Sequence, residues 1–442
     1  MPKADKHFEV IIIGGGCAGT ATALSLVQMG VENIAIVDKN DFSKVRIGET
    51  IQPPTASLLK ELGVWDTFLN DTHLPSFGVA SAWGTGELVY SDFIFKGRGN
   101  GWHLNRNLFD QMMLRAVLQK GVKLFHHNFT EVTKDNQSWI IDCEEQILQA
   151  NIVVDATGRA TTFAKKQGSN KVFFDDMHSI YTYWKPLPSI LKKTSTTHTQ
   201  VEAVENGWWY TAYLPNNQLV VAFMSDKEEI KVKGLKHTQT FLEQLNQTEH
   251  IKKRITNFEL TASPTIKVAN TYHLDNTTGE NWLAVGDSAS AFDPLSSYGI
   301  HKSLQNGIEA ATCIKSTLDG DKSALNSYEQ NVKKAFEDYL EIKHGYYQME
   351  KRWTENPFWK SRQMLVDIHP MQELKKRNDS NQPRSWNQIL PKKDLNTLIE
   401  LCKHPKKAFE LVQHFQENSN QQYPDWRIIQ AISYLCRIEV IG

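Results

Sequence analysis

Gly14-Gly15-Gly16-Cys17-Ala18-Gly19 carries the spacing G-x-G-x-x-G, and the acid Asp38 follows about 20 residues on. The residue types suit the binding of a pyrophosphate between two nucleotide halves. Gly14 permits a tight turn, Gly16 lets phosphate oxygens approach the backbone, and Gly19 lets a helix lie close on a strand. The start of that helix offers free N–H groups and partial positive charge, and Asp38 is placed to accept a ribose hydroxyl. Two further acid-bearing segments, Asp155-Ala156-Thr157-Gly158 and Gly286-Asp287, close apolar runs. Ligands of open α/β sheets bind at such carboxyl ends.

The elements that must position these groups are legible around them. Phe8 to Ile13 is an apolar strand, Ala21 to Gly30 has helical periodicity, and Ile34 to Asp38 is a second strand. Strand before, helix after and acid beyond is the context that gives the glycine spacing its meaning: the chain binds a dinucleotide. Arg46 to Pro54 is a loop, and Thr55 to Leu62 is a helix stopped by Gly63. Phe77 to Phe95 alternates as paired strands, Arg106 precedes an amphipathic helix at Leu108 to Gln119, and Val122 to Asn151 is a short β-meander. Ile152 to Val154 and Trp282 to Val285 are buried strands. Ser179 to Met224 forms a second, largely antiparallel sheet, in which Gly207 to Leu214 pairs with Leu219 to Met224. A long helix starts near Ile300, and Tyr328 to Lys360 is helical and rich in aromatic residues. Glu373 to Lys393 is a polar linker before a mainly helical module at Asp394 to Ile441.

The 442 residues are enough for two or three domains. With 49 basic and 50 acidic residues, charge gives no reason to expect nucleic acid or an anionic membrane as partner. Five scattered cysteines without a C-x-x-C pair argue against a disulfide framework and a zinc site, so no metal is expected. Cys17 is read as packing. No apolar run reaches the roughly 18 residues of a membrane span, and the early first strand leaves no room for a signal peptide. A cytoplasmic location is expected.

The glycine turn, the Ala156-Thr157-Gly158 segment and the Gly286-Asp287 pair, in this order, resemble the FAD-binding pattern of flavin-dependent monooxygenases and halogenases. Gly48-Glu49-Thr50 with its prolines, Trp208-Trp209-Tyr210 leading to Leu214-Pro215, and Asp293-Pro294-Leu295-Ser296-Ser297-Tyr298-Gly299-Ile300 resemble the tryptophan-halogenase-like branch. The resemblance covers about residues 8 to 360. It implies an α/β fold: a Rossmann-like FAD-binding domain (1–175 and 270–372, with a β-excursion near 75–100) and a mainly antiparallel substrate domain (176–269). A linker (373–393) and a helical C-terminal module (394–442) follow. It implies that Gly14, Gly16, Gly19 and Asp38 hold the adenosine and pyrophosphate of FAD. Gly48, Glu49, Arg106, Asp155 and Asp287 would surround the rest, and Pro294, Ser297 and Gly299 would line the isoalloxazine ring. The cofactor set also includes Ala18, Lys39, Arg46, Gly158, Gly286 and Ile300.

Departures from the branch bear on its chemistry. Halogenases carry a lysine after the G-E-T segment, where this chain has Ser76; Lys60 does not match it. Tryptophan halogenases place a glutamate in the Pro-Leu-x-Ser segment, where this chain has Ser296, and their W-x-W-x-I-P tryptophans fall on Tyr210 and Ala212. Without those ionisable groups nothing delivers a halogen or takes the indole proton. The chain looks more similar to flavoproteins that hydroxylate a tryptophan in precursor polypeptides of tryptophylquinone enzymes; Arg352-Trp353 and Pro357-Phe358-Trp359 also look like that group. The implied reaction is oxygen transfer from a flavin C4a-hydroperoxide to an indole, with molecular oxygen as co-substrate. Glu49 and Asp293 are the candidate catalytic groups, and the C-terminal module is the candidate for holding the polypeptide. No second G-x-G-x-x-G is present, which leaves NAD(P)H or a separate reductase open as electron donor. Halogenation of an indole or phenol, reduction of a lipid or polyene, and non-catalytic flavin binding are the alternatives.

Overall fold

The computed structural model describes residues 6–40, 42, 46–97, 99–135, 138–144, 146–188, 197–363, 368–377, 390–419, 421–423, 425–437 and 440–442. The first strand, Lys6–Ile13, pairs in parallel with Ile147–Asp155 on one side and Ile34–Val37 on the other. Trp282–Ala284 and Lys123–Phe125 extend the parallel sheet at its two edges. Its middle strands are continuous apolar runs because helices cover the sheet. Val10, Ile11 and Ile12 are fully buried.

Helices Cys17–Gln28 and Gly299–Leu318 pack together against this sheet. Gly307 allows their close approach: a Cβ there would lie 2.7 Å from the Ala18 carbonyl oxygen. The meander expectation for Val122 to Asn151 holds in part. Glu131–Asp135, Ser138–Asp142 and Ile147–Asp155 are antiparallel neighbours, but Lys123–Phe125 joins the parallel sheet. Ile147–Asp155 is one strand, whose far half supplies the Asp155 terminus.

The second sheet runs in the order Phe258–Leu260, Met177–Pro186, Leu219–Asp226, Gly207–Tyr213, Thr199–Val204, Gly78–Ala82, Val89–Asp92. Gly207–Tyr213 pairs with Leu219–Asp226. Period-two alternation sends Ile180, Trp209, Val221 and Phe223 to one face, under the helices Lys227–Val232 and Thr238–Asn246. Tyr181, Trp208, Ala222 and Met224 point to the other.

The expected helix from Tyr328 to Lys360 is interrupted. Ala324–Gln348 ends, and Pro357 begins a separate turn, Pro357–Lys360. Proline suits a first helical position and cannot continue a helix from within. Trp359 is fully buried beside Tyr347 and Trp353.

Glu373–Leu374 pairs with Lys406–Lys407, and Leu374 is buried in the core of the C-terminal helices Lys392–Leu401, Ala408–Asn418 and Asp425–Arg437. Residues 378–389 of the expected linker lie outside the described residues. The module packs on the main body through Arg427, whose guanidinium lies 4.6 Å from the Phe174 ring and 5.0 Å from Tyr423. Among the described residues no helix is long and apolar enough to cross a membrane, and no cluster of metal-ligating side chains occurs.

Candidate active site

A cleft of about 390 Å³ opens between the parallel sheet and the second sheet. Gly16, Ala18, Arg46, Gly48, Glu49, Arg106, Gly158, Asp287, Asp293, Pro294, Ser297, Gly299 and Ile300 line it, so most of the residues expected to meet a cofactor share one chamber. The opposite wall is sheet: Ser179, Tyr181, Tyr210, Val220, Ala222 and Met224.

The glycine turn is built tightly. A Cβ on Gly14 would fall 2.3 Å from the Ala156 carbonyl oxygen, and one on Gly19 would fall 2.0 Å from that of Gly14. A Cβ on Gly16 would meet nothing within 4 Å, because that position faces the cleft. The helix that starts at Cys17 has no acid in its first turn to compete for its free N–H groups. Asp38 accepts the Gly15 N–H at 2.7 Å and the Asn40 N–H at 2.9 Å, which leaves each oxygen a lone pair for a hydroxyl. Lys39 follows it, exposed.

Asp155 stands outside the cleft. Its Oδ1 accepts the Thr157 N–H and hydroxyl, and its Oδ2 accepts the Ala164 N–H. It thereby shapes the turn whose Ala156 and Gly158 do line the chamber. Gly286 lies beneath, its N–H held by Asn306 Oδ1 at 2.8 Å. Asp287 faces the cleft half-exposed, with Arg159 Nε at 3.7 Å and Lys302 Nζ at 3.9 Å. Burial lowers the Lys302 amine to about 8. It donates to the carbonyls of Gly286 and Ser290, which holds the turn in place.

Arg106 donates to the carbonyls of Ile47 and Gly48 at 3.0 and 2.9 Å and to Asp110. Asp110 also receives Arg46 at 2.9 Å. Sequence reasoning missed Asp110: it is one turn beyond Arg106 on the same helix, and that i, i+4 spacing was the available signal. Cys17 donates to the same carboxylate, and burial, then Asp110, push its thiol up to about 12, as suits a packing role.

Glu49 is buried, and its Oε1 has no hydrogen-bond partner. Burial raises its carboxyl to about 7 despite Arg106 nearby. Glu49 lines the chamber together with Tyr181 and Tyr210 of the sheet wall. Asp293, by contrast, is fully engaged. It accepts the Leu295 N–H and the Tyr347 hydroxyl, both at 2.7 Å, and burial raises its carboxyl above the usual range. Ser76 is buried and donates to the Thr197 carbonyl, outside the cleft. No lysine is among the described residues that line the chamber.

A Rossmann-type sheet whose cleft is walled by a second sheet is an architecture that flavin-dependent oxidoreductases use. The profile of the tryptophan halogenase family matches residues 9–93 and 91–389, and the chain belongs to that family. It is a flavin-dependent oxidoreductase with FAD as cofactor. The chain is 26% identical over 365 residues to the putative FAD-dependent oxidoreductase LodB of Marinomonas mediterranea, covering 81% of this chain and 97% of that protein. Its fold matches the myxobacterial chondrochloren halogenase CndH with a TM-score of 0.75, at 20% identity over 97% of each chain. The fold of QhpG, a peptidyl tryptophan dihydroxylase essential for tryptophylquinone cofactor biogenesis, matches with a TM-score of 0.67. Identity there is 18%, over 98% of this chain and 99% of that one. Gly16, open to the cleft, and the unengaged helix start fit the pyrophosphate of FAD.

Proposed function

We propose that this protein hydroxylates a tryptophan side chain of a precursor polypeptide during tryptophylquinone cofactor biogenesis. The observation that carries the reading is the composition of the chamber. One wall suits a flavin, the other is aromatic and apolar, and no lysine stands among its described lining residues. The names borne by LodB and QhpG support the same reading.

Bound FAD, once reduced, supplies activated oxygen from O2; the chain supplies the setting. Gly14, Gly16, Gly19 and Asp38 bind the adenosine and pyrophosphate, while Arg106, Asp287 and the Pro294-to-Ile300 turn hold the remainder. Asp155 acts through the turn that it braces. Tyr181, Val220 and Met224 exclude water from the chamber, which protects the reactive oxygen. Glu49 is the group able to take or hold a proton at Oε1. Asp293, with both oxygens occupied, fixes the Pro294 turn.

The test is a precursor polypeptide of a tryptophylquinone enzyme incubated with the reduced holoenzyme and oxygen, then mapped by mass spectrometry. Oxygen gained on a tryptophan supports the reading. Oxygenation of free tryptophan with an unchanged polypeptide refutes it.

A further inference from the structure

The sheet wall of the cleft has a notch set by strand register. Tyr181 and Tyr210 both lie opposite Ala222, one on each neighbouring strand. Neighbouring strands are about 4.8 Å apart, so the two tyrosine Cα atoms are separated by two such spacings with a single methyl between them. Val220 and Met224, two residues away on the Ala222 strand, close the ends on the same face. The walls are held in advance. The Tyr210 hydroxyl lies 2.8 Å from Thr50 Oγ1, and Tyr181 packs edge-on against Tyr183 at 5.7 Å between centroids.

Glu49 lines the same chamber as Tyr181, Ala222 and Tyr210. Its Oε1 is buried and unpartnered. A buried acceptor left unmade is costly, so a ligand that fills the notch gains by bringing a donor to that atom. A flat ring packed between two tyrosines with a donor on its edge meets both demands.

The geometry points to a ring seat: the Tyr181–Ala222–Tyr210 slot receives the indole of the substrate, and Glu49 Oε1 accepts the indole N–H. This rests on the tryptophan-hydroxylation reading and names the residues that select the ring. Ala222 sets the depth of the slot, and Glu49 orients the ring through its N–H.

The test is binding of indole and of 1-methylindole to the oxidised holoenzyme, followed by perturbation of the visible flavin spectrum and scored per bound FAD. The wild type should bind 1-methylindole about tenfold more weakly than indole, because the methyl removes the donor. E49A should lose that preference and E49Q, which keeps an acceptor, should retain part of it. A222L should weaken both ligands more than tenfold, and A222V, a smaller intrusion, by less. Equal binding of the two ligands by the wild type, an undiminished preference in E49A, or wild-type affinity in A222L and A222V would each overturn the seat. Precursor assays separate the two claims. Hydroxylation that survives unchanged in A222L and E49A removes the seat and leaves the reaction. An indole-selective slot in an enzyme that leaves the precursor unmodified keeps the seat and removes the reaction.

Discussion

Thr50 Oγ1 stands 2.8 Å from the Tyr210 hydroxyl, which ties the loop carrying Glu49 to the sheet that forms the opposite wall of the cleft. The cofactor side and the aromatic side of the chamber are therefore fixed relative to each other by a hydrogen bond between hydroxyls, extended through Thr199 to His103. Y210F removes one partner of that bond. Flavin content should stay as in the wild type, while turnover on the precursor falls; a variant with unchanged turnover would show that the tie is dispensable.

Gly16 and Gly19 should fail in different ways. Gly16 has extended backbone at φ −77° and free space where a side chain would go, so G16L should fold with wild-type apoprotein stability yet take up no FAD. G19A drives a methyl toward the Gly14 carbonyl and should cost the apoprotein about 1–3 kcal/mol. Thermal unfolding of the apoproteins, with flavin absorbance after reconstitution, distinguishes them.

Asp110 is the carboxylate that Arg46 and Arg106 share. D110A takes the hydrogen-bonded counter-charge from the partly buried Arg106 and should destabilise the fold by about 1.5–3 kcal/mol. Chemical denaturation measures this, and a loss near zero would mean that water or the Ile47 and Gly48 carbonyls suffice.

Glu49 makes stability depend on pH with a definite sign. Its carboxyl rises from 4.5 to about 7 on folding, chiefly by burial. The folded state therefore holds its proton more tightly, and that contribution is full below pH 4.5 and lost as pH rises through about 7. The melting temperature of the wild type should fall relative to that of E49Q across this window. Parallel curves would show Glu49 ionised at its ordinary value.

Bromide should not be incorporated. The resemblance sets Ser76 against the lysine of halogenases, and Ser76 is buried against Thr197. Reduced holoenzyme, oxygen and bromide, given the precursor or tryptophan, should give no brominated product, and a bromide-dependent mass gain would assign a halogenase.

Much of one wall of the cleft was legible because it is local: the glycine turn, Asp287 and the Pro294 turn announce themselves by spacing at strand ends. Asp110 was hidden inside a helix that reads as merely amphipathic. The Tyr181–Ala222–Tyr210 slot was hidden for a different reason. It depends on the register of three strands, and no single segment carries that register. Composition likewise gave no sign that Leu374, in a polar stretch, would be buried against the C-terminal helices.

Oxygen transfer to a peptidyl tryptophan is the central claim, and intact-protein and peptide mass spectrometry tests it directly. The precursor polypeptide is incubated with FAD-loaded enzyme, a reductant and isotopically labelled O2. The account predicts labelled oxygen on a tryptophan side chain, absent when FAD is omitted and in G16L. A precursor that returns with unlabelled, unmodified tryptophan from active, fully flavinylated enzyme would contradict it.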